Sequence, residues 1–331
     1  MATEHIRWGT DLITFFEPGY WGLPAELPYA DWDVEVSKNP RPYFDRMLDE
    51  AAEIGLDGVE LAPEPGGWEN ALVAYGDVAG VGRALADRGL ALATSYAPGW
   101  KLIGAALEDP DAEASADEYL RRHAAMVREL GSETIVMGTV PRAAFPETVG
   151  EPGDEAGFTG PVDPVLMQRV ADQLNRLGGV VGAEGVRIAI HTDAYSVCSR
   201  TDDVDLLLEL TDPRTVWLCP DAGHITLDGG DAVEVLRRHV DRTPVMHWKD
   251  CKAHLPAHTL SGPTMVRHAT MLTYFRLMGR GTIDWTEWMR VLRAASWSGW
   301  AIAEIDMSPD PVGEISDGLR FFAGELARIY S

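Results

Sequence analysis

The chain has 331 residues and a formal net charge of −24, from 52 acidic and 28 basic residues. Hydrophobic residues make up 46% and charged residues 24% of the sequence, as in globular proteins with a large core and unlike disordered chains. The negative charge argues against nucleic acid and anionic membranes as partners, since both would be repelled.

The N-terminal sequence MATEHIRWGTDLITFF has no basic region followed by an apolar run and a small-residue cleavage site. No apolar stretch reaches the roughly 18 residues that a membrane span needs. We therefore expect a cytoplasmic protein. The cysteines Cys198, Cys219 and Cys251 are odd in number and widely spaced, which suits neither a disulfide framework nor a CxxC metal site.

Short apolar runs alternate along the chain with longer stretches that have the apolar spacing of helices. This alternation predicts parallel βα units. There are eight predicted strands: residues 6–13, 57–61, 90–95, 134–138, 186–191, 216–220, 244–248 and 300–305.

The stretches between the strands include PYFDRMLDEAAEIG and VGRALADRG, which end in glycine as helices with a left-handed C-cap do. A doubly wound open sheet would explain part of the pattern, but its GxGxxG fingerprint is absent after the first strand. The sequence therefore predicts one (β/α)₈ barrel domain over residues 1–331. The long connections 14–40, 140–164 and 251–282 follow strands, so we expect them on the catalytic face, covering the site.

Polar side chains replace apolar ones at the ends of the last four strands. His191 ends the fifth strand, Asp221 the sixth, His247 the seventh and Glu304 the eighth. In a barrel these ends are neighbours around half of the rim. Two imidazoles and two carboxylates predict a site for one divalent ion, with Mn²⁺ expected first and Co²⁺, Zn²⁺ or Mg²⁺ as alternatives. Since the set contains no thiolate, it is not a closed structural zinc site.

Three further polar residues are predicted to take part in catalysis. Asp193 lies two residues after His191 and points to the same side, as a fifth ligand, a replacement ligand or an outer partner of the imidazole. Lys249 shares the inward face with His247 and could stabilise an enediolate oxygen, with a structural ion pair as the alternative. His224 in DAGH could contact substrate or transfer a proton, with a capping or packing role as the alternative.

Four residues are candidates for substrate binding. Glu60 in GVELAP is a further carboxylate on the rim, which could bind a hydroxyl or act as a general base. Phe16 and Trp21 in the first long connection could wall the pocket, or they could belong to a small satellite core. Trp248, beside His247, is also assigned to the substrate.

The DAGH and HWKD motifs and the strand IAEID resemble the xylose isomerase-like barrel superfamily of sugar isomerases, epimerases and inosose dehydratases. The phrase LTDPRTVWLCPDAGHITLDGGD resembles inosose dehydratases most strongly. In epimerases of this superfamily Glu, Asp, His and Glu hold the metal, so the resemblance implies a metal at His191, Asp221, His247 and Glu304. His191 stands where a Glu is usual, and that Glu is one of two proton-exchanging groups in epimerases. The departure favours a one-sided elimination.

The segments LITFFEPGYWG, HTDAYSV and MSPDP resemble the larger subunit of bacterial C-glycoside deglycosidases, barrels that pair with a small β-sandwich subunit. Together the resemblances imply a metal-dependent lyase that removes an α-proton from an oxo-sugar or oxo-cyclitol and expels a β-substituent. Cleavage of a 3-oxo-C-glycoside is placed slightly ahead of inosose dehydration. Keto-sugar isomerisation or epimerisation and a non-catalytic sugar-binding barrel or subunit are the alternatives. We expect a small carbohydrate substrate and an oligomer.

Overall fold

The predicted strands are all present and run parallel to one another. In the computed structural model, which describes residues 5–24, 27, 29–145 and 158–330, the ends of these strands differ from the predicted ones by at most two residues. They are β1 (Ile6–Asp11), β2 (Gly58–Leu61), β3 (Ala91–Ala97), β4 (Thr134–Met137), β5 (Arg187–His191), β6 (Val216–Cys219), β7 (Val245–Trp248) and, after the short strands β8 (Asp250–Cys251) and β9 (Phe275–Arg276), β10 (Gly299–Ala303).

The eight parallel strands close into a barrel. Their order is β6-β5-β4-β3-β2-β1-β10-β7, which leaves β6 and β7 at the two ends of the sheet. A parallel bridge between Asp221 and His247 joins these ends, and the His247 N–H donates to the Pro220 carbonyl over 3.0 Å. The barrel is thus completed at two residues that the sequence predicts as metal ligands.

Helices surround the barrel, as the βα alternation predicts. They are α1 (Tyr29–Lys38), α2 (Arg41–Ile54), α3 (Trp68–Tyr75), α4 (Val78–Ala86), α5 (Gly99–Glu108), α6 (Glu113–Glu129), α7 (Pro164–Ala183), α8 (Thr201–Glu209), α9 (Ala222–Leu227), α10 (Ala232–His239), α11 (Thr264–Leu272), α12 (Trp285–Ala294), α13 (Pro311–Phe321) and α14 (Ala327–Tyr330). Helix α2 ends at Gly55, whose φ of 88° is the left-handed conformation that favours glycine. Within the described ranges no helix has the length and apolar character needed to cross a membrane.

The apolar layer inside the barrel lies directly below the candidate site. It consists of Ala93, Tyr96, Val136, Ala189, Cys219, Val245, Trp300 and Ile302, all buried. Side chains two residues apart on a strand point to the same side. Cys219 therefore places Asp221, and Val245 places His247, over the axis of the barrel. The three cysteines are buried free thiols.

The connection between β7 and β10 folds back over the C-terminal end of the barrel. Strands β8 and β9 pair antiparallel through Asp250 and Arg276. The buried Asp250 carboxylate accepts the Gly279 N–H over 3.0 Å and the Trp285 indole N–H over 2.9 Å, which anchors this connection. Helix α11 lies within it and has no fully buried residue. Of the predicted connection 140–164, residues 146–157 lie outside the described part of the chain.

A buried histidine in the helix layer supplies a test of the fold. His123 in α6 is 0% exposed, hydrogen-bonded through Nε2 to the Ser95 hydroxyl over 2.7 Å, and stacked on Trp68 with ring centroids 5.2 Å apart. Burial lowers the pKa of His123 from 6.5 to about 3. The folded protein therefore keeps this imidazole neutral at a pH where the unfolded chain protonates it.

We expect this histidine to make the protein acid-sensitive. Because its pKa is depressed in the folded state, its contribution to stability is complete above the unfolded pKa of 6.5 and falls as the pH drops towards 3. Between about pH 7 and pH 5, the free energy of unfolding of the wild type should fall by about 2 kcal/mol more than that of His123→Gln. Urea titrations at each pH measure the two changes. The exposed His5 gives the control His5→Gln, which should keep the wild-type slope. Equal slopes for wild type and His123→Gln would contradict the prediction.

Candidate metal centre and active site

Four potential ligand atoms converge at the C-terminal end of the barrel. They belong to His191 at the end of β5, Asp221 after β6, His247 in β7 and Glu304 after β10, and all lie within 4.8 Å of one another. Each of these residues is at most 5% exposed. The structure therefore brings together the four residues that the strand ends predict as metal ligands.

Each of these residues has one buried atom that makes no hydrogen bond within the described part of the chain. The atoms are His191 Nε2, Asp221 Oδ2, His247 Nδ1 and Glu304 Oε2. Two of these atoms, His247 Nδ1 and Glu304 Oε2, contact each other directly, and Asp221 Oδ2 lies 3.3 Å from Lys249 Nζ. Buried polar atoms in native proteins are rarely unsatisfied, because leaving them so is costly. His191 Nε2 lies 3.5 Å and His247 Nδ1 3.8 Å from Asp221 Oδ2. One divalent cation would satisfy all four atoms, and two nitrogen and two oxygen donors suit Mn²⁺, Co²⁺, Zn²⁺ or Mg²⁺.

Asp193 lies beside His191 rather than in the ligand cluster. Its Oδ1 is 2.9 Å from His191 Nδ1, the nitrogen that faces away from Asp221. A carboxylate on the outer nitrogen fixes the orientation and tautomer of an imidazole ligand. The other oxygen, Oδ2, accepts the Tyr96 hydroxyl over 3.5 Å, and the Asp193 side chain is 28% exposed. Of the three roles open from the sequence, this geometry fits the outer partner.

Lys249 is the cation of a buried charge cluster beside the ligands. Its Nζ lies 2.6 Å from Glu304 Oε1, 2.7 Å from Asp306 Oδ2 and 3.3 Å from Asp221 Oδ2. Although burial opposes the charge, these carboxylates hold the pKa of Lys249 well above its usual value. Burial, helped by the neighbouring Glu304, raises the pKa of Asp306 to about 6. The ammonium group is therefore charged and lies next to the position of the cation.

His224 is neutral and presents one N–H to its surroundings. Burial, with the nearby charge of Lys249, lowers the pKa of His224 to about 3. Its Nδ1 accepts the Ala194 backbone N–H over 3.1 Å, so Nε2 carries the proton. The backbone N–H of His224 donates to Asp221 Oδ1 over 2.8 Å, which fixes that carboxylate at the start of α9. His224 can therefore donate a hydrogen bond while also orienting a ligand.

Glu60 lies on the opposite side of His247 from the ligand cluster. Its Oε1 is 3.2 Å from His247 Nε2, and it is 0% exposed. The Thr94 hydroxyl donates to Glu60 Oε2. The structure thus places this carboxylate near the site, but behind the imidazole.

The assignment of Trp248 to the substrate is wrong. Trp248 is 1% exposed and packs outside the barrel, with ring centroids 5.1 Å from Trp8 and 5.0 Å from Trp285. Because adjacent residues on a strand point to opposite sides, the inward direction of His247 sends Trp248 outward.

Phe16 and Trp21 belong to the satellite core that was the alternative to a pocket wall. Phe16 is 1% exposed and its ring lies 6.5 Å from that of Trp32. The Trp21 ring lies 5.8 Å from Trp32 and 5.0 Å from Tyr43, and its indole N–H donates to the Phe15 carbonyl over 2.6 Å. The two aromatic rings therefore pack against side chains of α1 and α2.

A cavity of about 510 Å³ opens next to the cluster on the side of β2 and β3. Tyr96 connects the two, since it lines the cavity and its ring lies 6.0 Å from the His191 ring. Aromatic and apolar side chains form much of the wall: Trp68, Tyr96, Trp100, Tyr119 and Met265. Tyr96 therefore links a largely aromatic and apolar cavity to the ligand cluster.

Sequence reasoning missed three residues of the site. Asp306 lies two residues after Glu304 and Asp11 ends β1, so the two-residue period that identified Lys249 also applied to them. Asp11 belongs with Glu60 and His247 to a second set of potential ligand atoms within 4.8 Å of one another. Tyr96 carried no signal in the sequence beyond its place in a strand.

Comparison with known proteins decides the family. The family model described as Xylose isomerase-like TIM barrel matches residues 48–324. The chain belongs to this family. In this xylose isomerase-like barrel the matched region includes all four converging residues and Lys249.

Among curated proteins, this xylose isomerase-like chain is similar to an inosose dehydratase from Geobacillus thermodenitrificans. The two are 26% identical over 238 residues, which is 69% of this chain and 73% of that protein. An inosose dehydratase from Bacillus velezensis is 32% identical over 136 residues, or 41% of this chain and 46% of that protein. The chain thus spans just under half the length of the second relative.

The solved structures with the same fold include proteins named as an epimerase and as a dehydratase. The D-allulose 3-epimerase from Methylomonas sp. has a TM-score of 0.64 at 14% identity, covering 98% of this chain and 100% of that one. The probable 3-DHS dehydratase from Bacillus anthracis has a TM-score of 0.65 at 14% identity, covering 96% and 99%. At such identities the likeness establishes the barrel fold alone.

Proposed function

We propose that this protein is a divalent-metal-dependent lyase that removes an α-proton from an oxo-cyclitol or oxo-sugar and eliminates a β-substituent. The observation that carries the proposal is the convergence of four buried ligand atoms, all within 4.8 Å of one another, beside a buried lysine. The cation would be held by His191, Asp221, His247 and Glu304. When bound, it supplies a Lewis acid that polarises the substrate carbonyl.

Lys249 stabilises the negative charge that develops on the substrate oxygen. Its ammonium group is buried and is fixed by Glu304 and Asp306 before substrate arrives. A donor that is already oriented in a site shielded from water stabilises an oxyanion without reorganisation.

Asp193 accepts the α-proton and returns it to the departing oxygen. It is the most exposed of the site's carboxylates, and Oδ2 faces Tyr96 at the cavity while Oδ1 holds His191. The C–H electron pair forms the enolate, and its collapse breaks the bond to the β-oxygen, which leaves as water with the same proton. His224 orients the departing hydroxyl through its Nε2–H. A single acid–base group on one face suits elimination.

Two substrates fit this chemistry. The similarity to inosose dehydratases over 69% of the chain supports an inosose, with water as the leaving group. The aromatic wall of the cavity supports a 3-oxo-C-glycoside with an aromatic aglycone, because a polyhydroxylated ring alone needs few apolar contacts. There the enolate would break the C–C bond to the aglycone, and the aglycone carbon would take the electron pair and the proton from Asp193. A deglycosidase would pair with a small β-sandwich subunit.

The test is elimination and solvent exchange with protein loaded with Mn²⁺. We expect deuterium from ²H₂O at the α-carbon, and a product that has lost the mass of one water from an inosose or released the aglycone of a 3-oxo-C-glycoside. Asp193→Asn at saturating Mn²⁺ should lower both rates by roughly two to four orders of magnitude. If the C-glycoside is inert, the genomic neighbourhood is searched for a small all-β protein, and the assay is repeated with any such protein co-expressed.

Other outcomes would favour the alternatives. A product of unchanged mass would indicate an isomerase or epimerase, which the position of His191 in the cluster disfavours. A metal-free wild type with no exchange into any keto-sugar would leave a sugar-binding barrel and refute the proposal.

A further inference from the structure

We propose that Glu60 is a positioning residue for the metal centre, which fixes the tautomer of His247 and thereby sets the affinity for the cation. This inference rests on the proposed metal site and adds to it a carboxylate from the other half of the barrel.

The two nitrogens of His247 face different carboxylates. Nδ1 has no hydrogen-bond partner and lies against Glu304 Oε2, with Asp221 Oδ2 3.8 Å away. Nε2 lies 3.2 Å from Glu60 Oε1 and is hydrogen-bonded to Glu60 Oε2 over 3.4 Å. Nδ1 is therefore the atom that would bind a cation, and Nε2 is the atom that would carry the proton.

Glu60 is held in place to accept that proton. It lies in β2 and is 0% exposed, and the Thr94 hydroxyl of β3 donates to its Oε2. A buried carboxylate is costly without partners, and His247 is the cationic or N–H group that the geometry supplies. A carboxylate on the outer nitrogen orients a histidine ligand and raises its basicity. Glu60 thus stands to His247 as Asp193 stands to His191.

Asp11 provides an alternative use of the same residues. Asp11, Glu60 and His247 form a set whose ligand atoms lie within 4.8 Å of one another, and such a set could hold a second cation. A cation there would need the lone pair of His247 Nε2, which the tautomer proposed here occupies with a proton. The two interpretations therefore predict different metal stoichiometries.

The experiment measures metal binding directly rather than activity. Wild-type protein, Glu60→Gln and Thr94→Val are stripped of metal, and their affinities for Mn²⁺ are measured by competition with a chelator. The visible spectrum of the Co²⁺-loaded proteins reports the ligand geometry, and thermal unfolding of the metal-free proteins reports stability. Glu69→Gln, at an exposed carboxylate of α3, is the matched control.

We expect one equivalent of metal in the wild type and a 10- to 100-fold lower affinity in Glu60→Gln, with a changed Co²⁺ spectrum. Thr94→Val removes only the hydroxyl that supports Glu60, so its affinity should fall less, in the same direction. This second variant keeps the test open if Glu60→Gln does not fold. Glu69→Gln should match the wild type.

Three results would overturn the inference, and each has a distinct meaning. Wild-type affinity and spectrum in both the Glu60 and Thr94 variants would leave the metal centre intact and refute only the role of Glu60. Two equivalents of metal in the wild type would assign Glu60 to a second cation instead. A wild type that binds no metal would refute the proposed metal centre itself.

Discussion

Glu304→Gln should lose its tightly bound metal and about three orders of magnitude of activity. The variant replaces an ionised carboxylate by a neutral amide at Glu304, whose Oε2 lies against His247 Nδ1 in the ligand cluster. It also removes the carboxylate charge that lies 2.6 Å from Lys249. Polarisation of the carbonyl by a metal is worth several kcal/mol, and each 1.36 kcal/mol is a factor of about ten in rate.

The measurement is metal content after gel filtration, together with kcat/KM on whichever substrate is eliminated. Glu325→Gln changes the same functional group on the surface, where the side chain is 62% exposed, and should retain both metal and activity. A Glu304→Gln protein with a full equivalent of metal and wild-type kcat/KM would show that this carboxylate is not a ligand.

Lys249→Met should keep the metal yet lose about 100- to 1000-fold in activity, and it should be less stable than the wild type. The lost activity reflects an oriented donor at the developing oxyanion. The lost stability reflects Asp221, Glu304 and Asp306, which remain buried without their common cation. Breaking a buried ion pair on one side costs about 3–5 kcal/mol. Urea unfolding of the metal-free protein measures this loss.

The double variant Lys249→Met/Asp306→Asn separates the two roles of Lys249. Neutralising Asp306 removes one uncompensated charge, so it should recover part of the stability without restoring activity. Bound Mn²⁺ should stabilise both variants, because it binds only the folded state. If the double variant regains wild-type activity, Lys249 is a structural ion-pair partner and not an oxyanion donor.

Strand periodicity explains why most of the ligand cluster could be predicted. Side chains alternate along a strand, and in a barrel the inward residue at each C-terminal strand end faces the same axis. Each of the four predicted ligands follows an apolar run: His191, Asp221, His247 and Glu304. Both their residue types and the inward direction of their side chains can therefore be predicted from the sequence. The same rule excludes Trp248, one residue after His247, and includes Asp306, two residues after Glu304.

The roles of the aromatic residues in the first long connection could not be predicted from the sequence. Aromatic residues such as Phe16 and Trp21 are found both in sugar-binding pocket walls and in small satellite cores. The packing of Trp21 on Trp32 and Tyr43 shows that they belong to a satellite core. Packing of this kind depends on where the following helices α1 and α2 lie, because loop residues have no fixed periodicity to set their direction.

The eight βα units, the barrel and the strand ends with potential ligands can all be predicted from the amino-acid sequence, because they follow from local periodicity and from the order of elements. Which atoms face one another across the barrel depends on the tertiary structure. It placed Glu60 of β2 behind His247 of β7, and Tyr96 between the ligand cluster and the cavity. Such contacts join residues up to 187 positions apart. Their geometry depends on how the closed sheet tilts and staggers its strands, which no local pattern encodes.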